Sequence, residues 1–194
     1  MDAALVLANR SVALRRTVAV VLGALVVAAA AQVSVPLPGT PVPITLQPLA
    51  VLLVGGLLGA PLGALSMILY LAMGAAGLPV FTPTVPLVGV ARLFGPTGGY
   101  LLAYPVAAWA VGAVLTPGWQ PGVNKPAWAR ATVAAVAGLV LIHLGGLAQL
   151  AILTGSLSAA ARFGTWPFLL GDLLKLAVLV PVLTKLTPTI RARL

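Results

Sequence analysis

The sequence predicts an all-α integral membrane protein built as a bundle of six transmembrane helices. Two compositional observations carry this: 61% of residues are hydrophobic and only 7% charged, and mean hydropathy is +1.14. A soluble domain carries about 25% charged residues. The third observation is spacing, because the apolar residues gather into runs close to the roughly 20 residues that cross a hydrocarbon core of about 30 Å.

The first run spans about Thr17 to Val35. It stops at Val35-Pro36-Leu37-Pro38-Gly39-Thr40-Pro41-Val42-Pro43, whose prolines remove amide donors and forbid a continuous helix. A short second run, about Ile44 to Gly59, is divided by Gly59-Ala60-Pro61-Leu62-Gly63 from a third that ends near Gly77-Leu78-Pro79. Residues 80 to 96, with prolines at 83, 86 and 96, are expected to be irregular and packed on protein or near water, since lipid cannot satisfy free backbone groups. The fourth run opens at Thr97-Gly98-Gly99-Tyr100 and reaches about Leu115. A polar connector, 116 to 126, leads to the fifth, about Trp128 to Leu153. After a linker from Thr154 to Thr165, the sixth runs from Trp166-Pro167 to about Leu186.

Cytoplasmic loops keep an excess of Lys and Arg. With the N-terminus inside, Arg10, Arg15, Arg16, Lys125, Arg130, Lys185, Arg191 and Arg193 fall on the cytoplasmic side, Arg92 and Arg162 outside, and Lys175 within a span. The expected organisation is a cytoplasmic tail over residues 1–16, a transmembrane domain over 17–187 and a cytoplasmic tail over 188–194, in a multi-pass protein of the cell membrane with no cleavable signal. The formal net charge of +9 lies at the ends of apolar runs, where it meets the headgroups of the lipid bilayer, so no nucleic-acid partner is expected. The chain has no Cys and a single His, His143. No metal site, catalytic residue or cofactor is therefore expected. His143 is expected to be hydrogen-bonded inside the bundle. Gln149, nearer the outer side, is a further candidate contact for a ligand.

Of two acids in the chain, Asp2 lies in the N-terminal tail and Asp172 inside an apolar run, in Gly171-Asp172-Leu173-Leu174-Lys175. An ionised group in a membrane costs about 2.5 to 3.5 kcal/mol even on insertion scales, so such residues mark cavities, partners or substrates. Asp172 and Lys175 share a helix face, being three residues apart. The predicted topology puts them beneath the Pro-rich first loop and the irregular third loop, so that one outer-face pocket can combine all three segments.

Pro41-Val42-Pro43-Ile44-Thr45-Leu46-Gln47, Gly77-Leu78-Pro79-Val80-Phe81, Gly95-Pro96-Thr97-Gly98-Gly99-Tyr100 and Gly171-Asp172-Leu173-Leu174-Lys175 occur in this order. Together they resemble the BioY family of biotin transporters, the substrate-binding S-components of energy-coupling factor (ECF) transporters. The resemblance implies a six-helix protein that captures biotin from outside, with Asp172 accepting from the ureido N–H groups and Lys175 donating to the ring or organising the aspartate. Arg92, in the irregular loop, is the candidate partner for the biotin carboxylate, because a guanidinium fork suits carboxylates. Gly98 and Gly99 are read either as a ligand-facing helix N-terminus or as a close helix contact. Thr45 and Gln47 offer hydrogen bonds to ligand or to proline-freed backbone. Phe81 and Tyr100 are candidate walls for the apolar part of biotin, and Trp166 is read as an interface residue.

No phosphate-binding G-x-x-x-x-G-K-[ST] loop occurs. The resemblance accordingly implies separate partners, an ECF T-component and ABC ATPase subunits. Ala24 and Ala28 form a small-residue face on the first helix that suits either such a partner or packing inside the bundle. A homo-oligomer is left open. The alternative function is an ion-coupled small-molecule carrier that uses Asp172 as its proton or cation site.

Overall fold

The computed structural model describes residues 3–116 and 127–194. The 116–126 connector with Lys125, apart from Thr116, and the tail acid Asp2 lie outside the described residues. The fold is helical throughout its spans: α1 (Ala3–Gln32), α2 (Gln47–Leu58), α3 (Ala60–Ala75), α4 (Ala91–Phe94), α5 (Gly98–Val114), α6 (Ala127–Thr154), α7 (Leu157–Gly164) and α8 (Leu169–Arg191). Three stretches, Arg10–Gln32, Ala127–Thr154 and Leu157–Arg191, are long and apolar enough to cross a membrane, and α2, α3 and α5 are shorter apolar helices.

Boundaries follow from local chemistry. Gly59, at φ +86°, turns the chain between α2 and α3 where a side chain would be strained, and Pro48 and Pro61 sit in the first turns, where their missing N–H groups cost nothing. α1 begins at Ala3 rather than near Thr17, because the segment before Thr17 is rich in Ala, Leu and Arg, all strong helix formers. α8 runs past Pro188 to Arg191, so most of the expected C-terminal tail is helical. The linker after α6 is not a plain connection but holds α7, whose Ser156 cap accepts from the Ala159 amide at 3.3 Å. The Pro-rich loop is clasped at its root by two short antiparallel strands, β1 (Ser34–Val35) and β2 (Ile44–Thr45).

α5 is central, packed on α2, α3 and α6. Small residues permit this closeness: a Cβ on Gly55 would strike the backbone of Ala108. Of the two readings of Ala24 and Ala28, a partner face or packing inside the bundle, the burial favours packing inside the bundle. Ala24 is fully buried and Ala28 nearly so, and beside them a Cβ on Gly23 would meet Ser66 of α3 and Val54 of α2. The small stripe of α1 lets α2 and α3 approach, while Leu22, Leu25 and Val26 form its exposed side.

Candidate ligand-binding chamber

Asp172 stands in the first turn of α8 and Lys175 in the second, following a short 3-10 turn at Trp166–Phe168. Both are buried, with 7% and 8% of their surface exposed. Lys175 Nζ donates to Asp172 Oδ1 at 2.9 Å, as the three-residue spacing predicts. His143, on α6, sits 2.6 Å from the other oxygen, Oδ2, through its Nε2. Against a carboxylate oxygen, Nε2 is the ring nitrogen that donates its proton. The other ring nitrogen, Nδ1, is buried without a partner.

These three side chains line one chamber with Thr45, Gln47, Phe81, Arg92, Tyr100 and residues of the Pro-rich loop. The chamber is narrow, with a volume of about 50 Å³. That is a slot, with room for only a few waters. Phe81, Tyr100, Leu101, Tyr104, Leu139, Ile142 and Phe168 make its apolar walls. A few polar groups converging in an apolar pocket are what a small-molecule site requires.

Each wall is fixed from outside. Gln47 Nε2 donates to Tyr70 Oη at 2.6 Å, and Tyr70 Oη donates to the Val80 carbonyl at 3.1 Å, tying α2 and α3 to the third loop. Thr45 Oγ1 accepts from the Gln47 amide at 3.3 Å, so it also serves the start of α2. Phe81 fits because Gly74 has no side chain, since a Cβ there would enter its ring. Tyr100 Oη donates to the Gly164 carbonyl at 2.5 Å, and Thr40 Oγ1, in the Pro-rich loop, donates to the adjacent Phe163 carbonyl at 2.6 Å.

Arg92 is 1% exposed and is first of all a clamp on its own loop. Nη1 donates to the carbonyls of Val85 (2.5 Å) and Leu87 (3.1 Å), and Nη2 donates to that of Thr82 (2.6 Å). Its Nε is buried without a partner, and the guanidinium carbon lies 6.0 Å from the Phe81 ring centre. Burial draws its pKa below the ordinary guanidinium value, opposed by the nearby Tyr70 and Tyr104 hydroxyls.

Gly98 and Gly99 do not line the chamber. A Cβ on Gly98 would strike the Leu93 carbonyl of α4, and one on Gly99 the Gly145 carbonyl of α6, so the pair sits in close contacts of α5 with its neighbouring helices. Gln149 does not reach the chamber either, its amide donating to the carbonyls of Leu93 (3.0 Å) and Gly95 (2.7 Å). Trp166 is largely exposed, as an interface residue would be. His143, Tyr104, Phe168 and Thr97 are chamber residues not singled out as such from sequence. His143 alone carried a signal, being the only histidine and lying in an apolar helix.

Fold and site together define a helical membrane protein that encloses a small-molecule chamber. The sequence model of the BioY family matches residues 5–192, and the chain belongs to that family. It is 36% identical over 156 residues to the Pyrococcus horikoshii protein named "Probable biotin transporter BioY", covering 80% of this chain and 86% of that one. It is also 36% identical over 148 residues to the Thermotoga maritima "Biotin transporter BioY", covering 76% and 81%. In fold it is similar to the crystal structure of the S-component for biotin from an ECF-type ABC transporter, with a TM-score of 0.76, 22% identity and 93% of each chain covered.

Proposed function

We propose that this chain is the biotin-binding subunit of a biotin uptake system, energised by a separate T-component and ABC ATPase subunits. The observation that carries the reading is the buried Asp172–Lys175–His143 cluster opening into an apolar slot. Biotin needs an acceptor for its two ureido N–H groups, a donor for its ureido oxygen, an apolar trough and a cation for its carboxylate. Asp172 accepts from the ureido N–H groups through lone pairs left free by Lys175 and His143. Lys175, with three N–H donors and one given to Asp172, donates to the ureido oxygen. The aromatic and aliphatic walls hold the thiophane ring and the valeryl chain.

Arg92 is the proposed carboxylate partner. Three of its five N–H donors hold loop carbonyls, and the free ones include Nε–H, on the edge with which arginine grips a carboxylate side-on. The proposal includes six membrane crossings, with both termini cytoplasmic and the chamber facing outward, a reading supported by the helix order and the distribution of positive charge. The ion-coupled alternative draws support only from the presence of Asp172, both of whose oxygens already accept hydrogen bonds.

Mass spectrometry of small molecules released from the purified protein tests the reading, with an Asp172→Asn variant in parallel. Biotin is expected from the parent chain. The variant should release at least about tenfold less, since hydrogen bonds to a charged group contribute about 1.5–3 kcal/mol. A parent chain grown with biotin that binds none on direct titration would overturn it.

A further inference from the structure

At the end of the bundle remote from the chamber lies a second cavity, lined by Leu115, Arg130, Leu183, Thr187 and Arg191 among others. Thr187 is fifteen residues beyond Asp172 on α8, or about 22 Å along the helix. The cavity has a volume of about 520 Å³.

The polar groups here are unbalanced. Arg191 donates to the Gly56 carbonyl from Nε (3.0 Å) and Nη2 (2.7 Å), and from Nη2 to the Gly112 carbonyl at 3.1 Å. Arg130 Nη2 donates to the carbonyls of Val114 (3.3 Å) and Thr116 (3.0 Å). These bonds cap the C-terminal ends of α2 and α5, yet they leave two guanidiniums near enough to repel each other. No acid answers them among the described residues of this end, and the connector between α5 and α6 adds Lys125 and no acid. Asp2, the chain's other acid, is a single charge against many bases.

Two buried donors on residues that line the cavity are unused. Arg130 Nε is buried without a partner. Thr187 is buried, 8% exposed, and its hydroxyl has no partner. The contrast within the chain is informative: Thr116, Thr132, Thr154 and Thr184 each donate to the carbonyl four residues earlier, at 2.8 to 2.9 Å, the usual resting place for a helical threonine. Thr187 forgoes that bond. Ala127 and Ala131 of α6 also border the cavity. The remaining walls are aliphatic.

We propose that this cavity binds the phosphodiester headgroup of an anionic phospholipid, with Thr187 Oγ1 and Arg130 Nε as donors, Arg191 supplying charge and the aliphatic walls receiving the glycerol end of the acyl chains. Basic pockets between membrane helices take phosphate headgroups in this way. The site is independent of the biotin reading and uses none of its residues.

Native mass spectrometry of the full chain, released from micelles doped with phosphatidylglycerol or with phosphatidylcholine, tests it. The parent chain should keep one phosphatidylglycerol at collision energies that strip phosphatidylcholine. Thr187→Val, which breaks no hydrogen bond and so leaves the fold intact, should lower that retention about tenfold or more, as expected for losing one hydrogen bond to a charged group. Arg130→Gln should lower it further. Biotin binding by Thr187→Val should be unchanged, which separates loss of the lipid from loss of the fold. Equal retention of the two lipids, or full retention by both variants, overturns the proposal. Thermal protection by inorganic phosphate in lipid-free detergent, without any lipid preference, would assign the same donors to free phosphate and overturn the lipid assignment.

Discussion

His143 and Asp172 meet across two helices, with Nε2 of one 2.6 Å from Oδ2 of the other. Because Lys175 holds Oδ1, the carboxylate is gripped at both oxygens and its plane is set before any ligand arrives. Preorganisation of this kind removes an ordering cost from binding.

Replacing His143 with Leu keeps the bulk of the side chain and removes the donor. Biotin affinity should fall by about 10- to 100-fold, the equivalent of one hydrogen bond to a charged group, while His143→Gln, which retains an amide donor, should lie between. Isothermal titration in detergent measures both. Parent-like affinity in the Leu variant would mean that Lys175 alone orients the acid.

Arg92 clamps its loop and is the proposed partner of the biotin carboxylate, and a cycle can separate the two. Arg92→Gln should weaken biotin by about 2 kcal/mol or more, since it removes one partner of a buried charged contact. Against the neutral biotin amide the same substitution should cost clearly less, leaving only the loss of the loop clamp. Equal losses with both ligands would show that the guanidinium serves the loop carbonyls alone.

Gly99 touches α6 where any side chain would meet the Gly145 carbonyl. Gly99→Val should lower stability by about 1–3 kcal/mol, the usual range for overpacking, and reduce the melting temperature in detergent. The folded fraction should still bind biotin, because the residue does not line the chamber. Loss of binding in fully folded protein would restore Gly99 to the site.

Scarcity of charge made much of this legible in the sequence. A lone acid in an apolar run, with a base three residues on, had few arrangements open to it, and burial of the pair follows from the cost of exposing it to lipid. Helical spans were legible for the same reason, since runs of apolar residues between prolines admit little else. The His143–Asp172 contact was hidden because its partners are 29 residues apart, on helices whose relative rotation depends on packing rather than on local sequence. Arg92 was read as an outward cation, but its third loop folds back on it and supplies carbonyls at Thr82, Val85 and Leu87. Gly98 and Gly99 could be read either way, since a missing side chain looks the same whether it admits a ligand or a neighbouring helix.

The short helix α7 receives two of the bonds described above on consecutive carbonyls, Phe163 from Thr40 and Gly164 from Tyr100. Loop and side wall therefore hang from one peg, and anything that pulled α7 outward would slacken both in the same movement while leaving the Asp172–Lys175 pair in place.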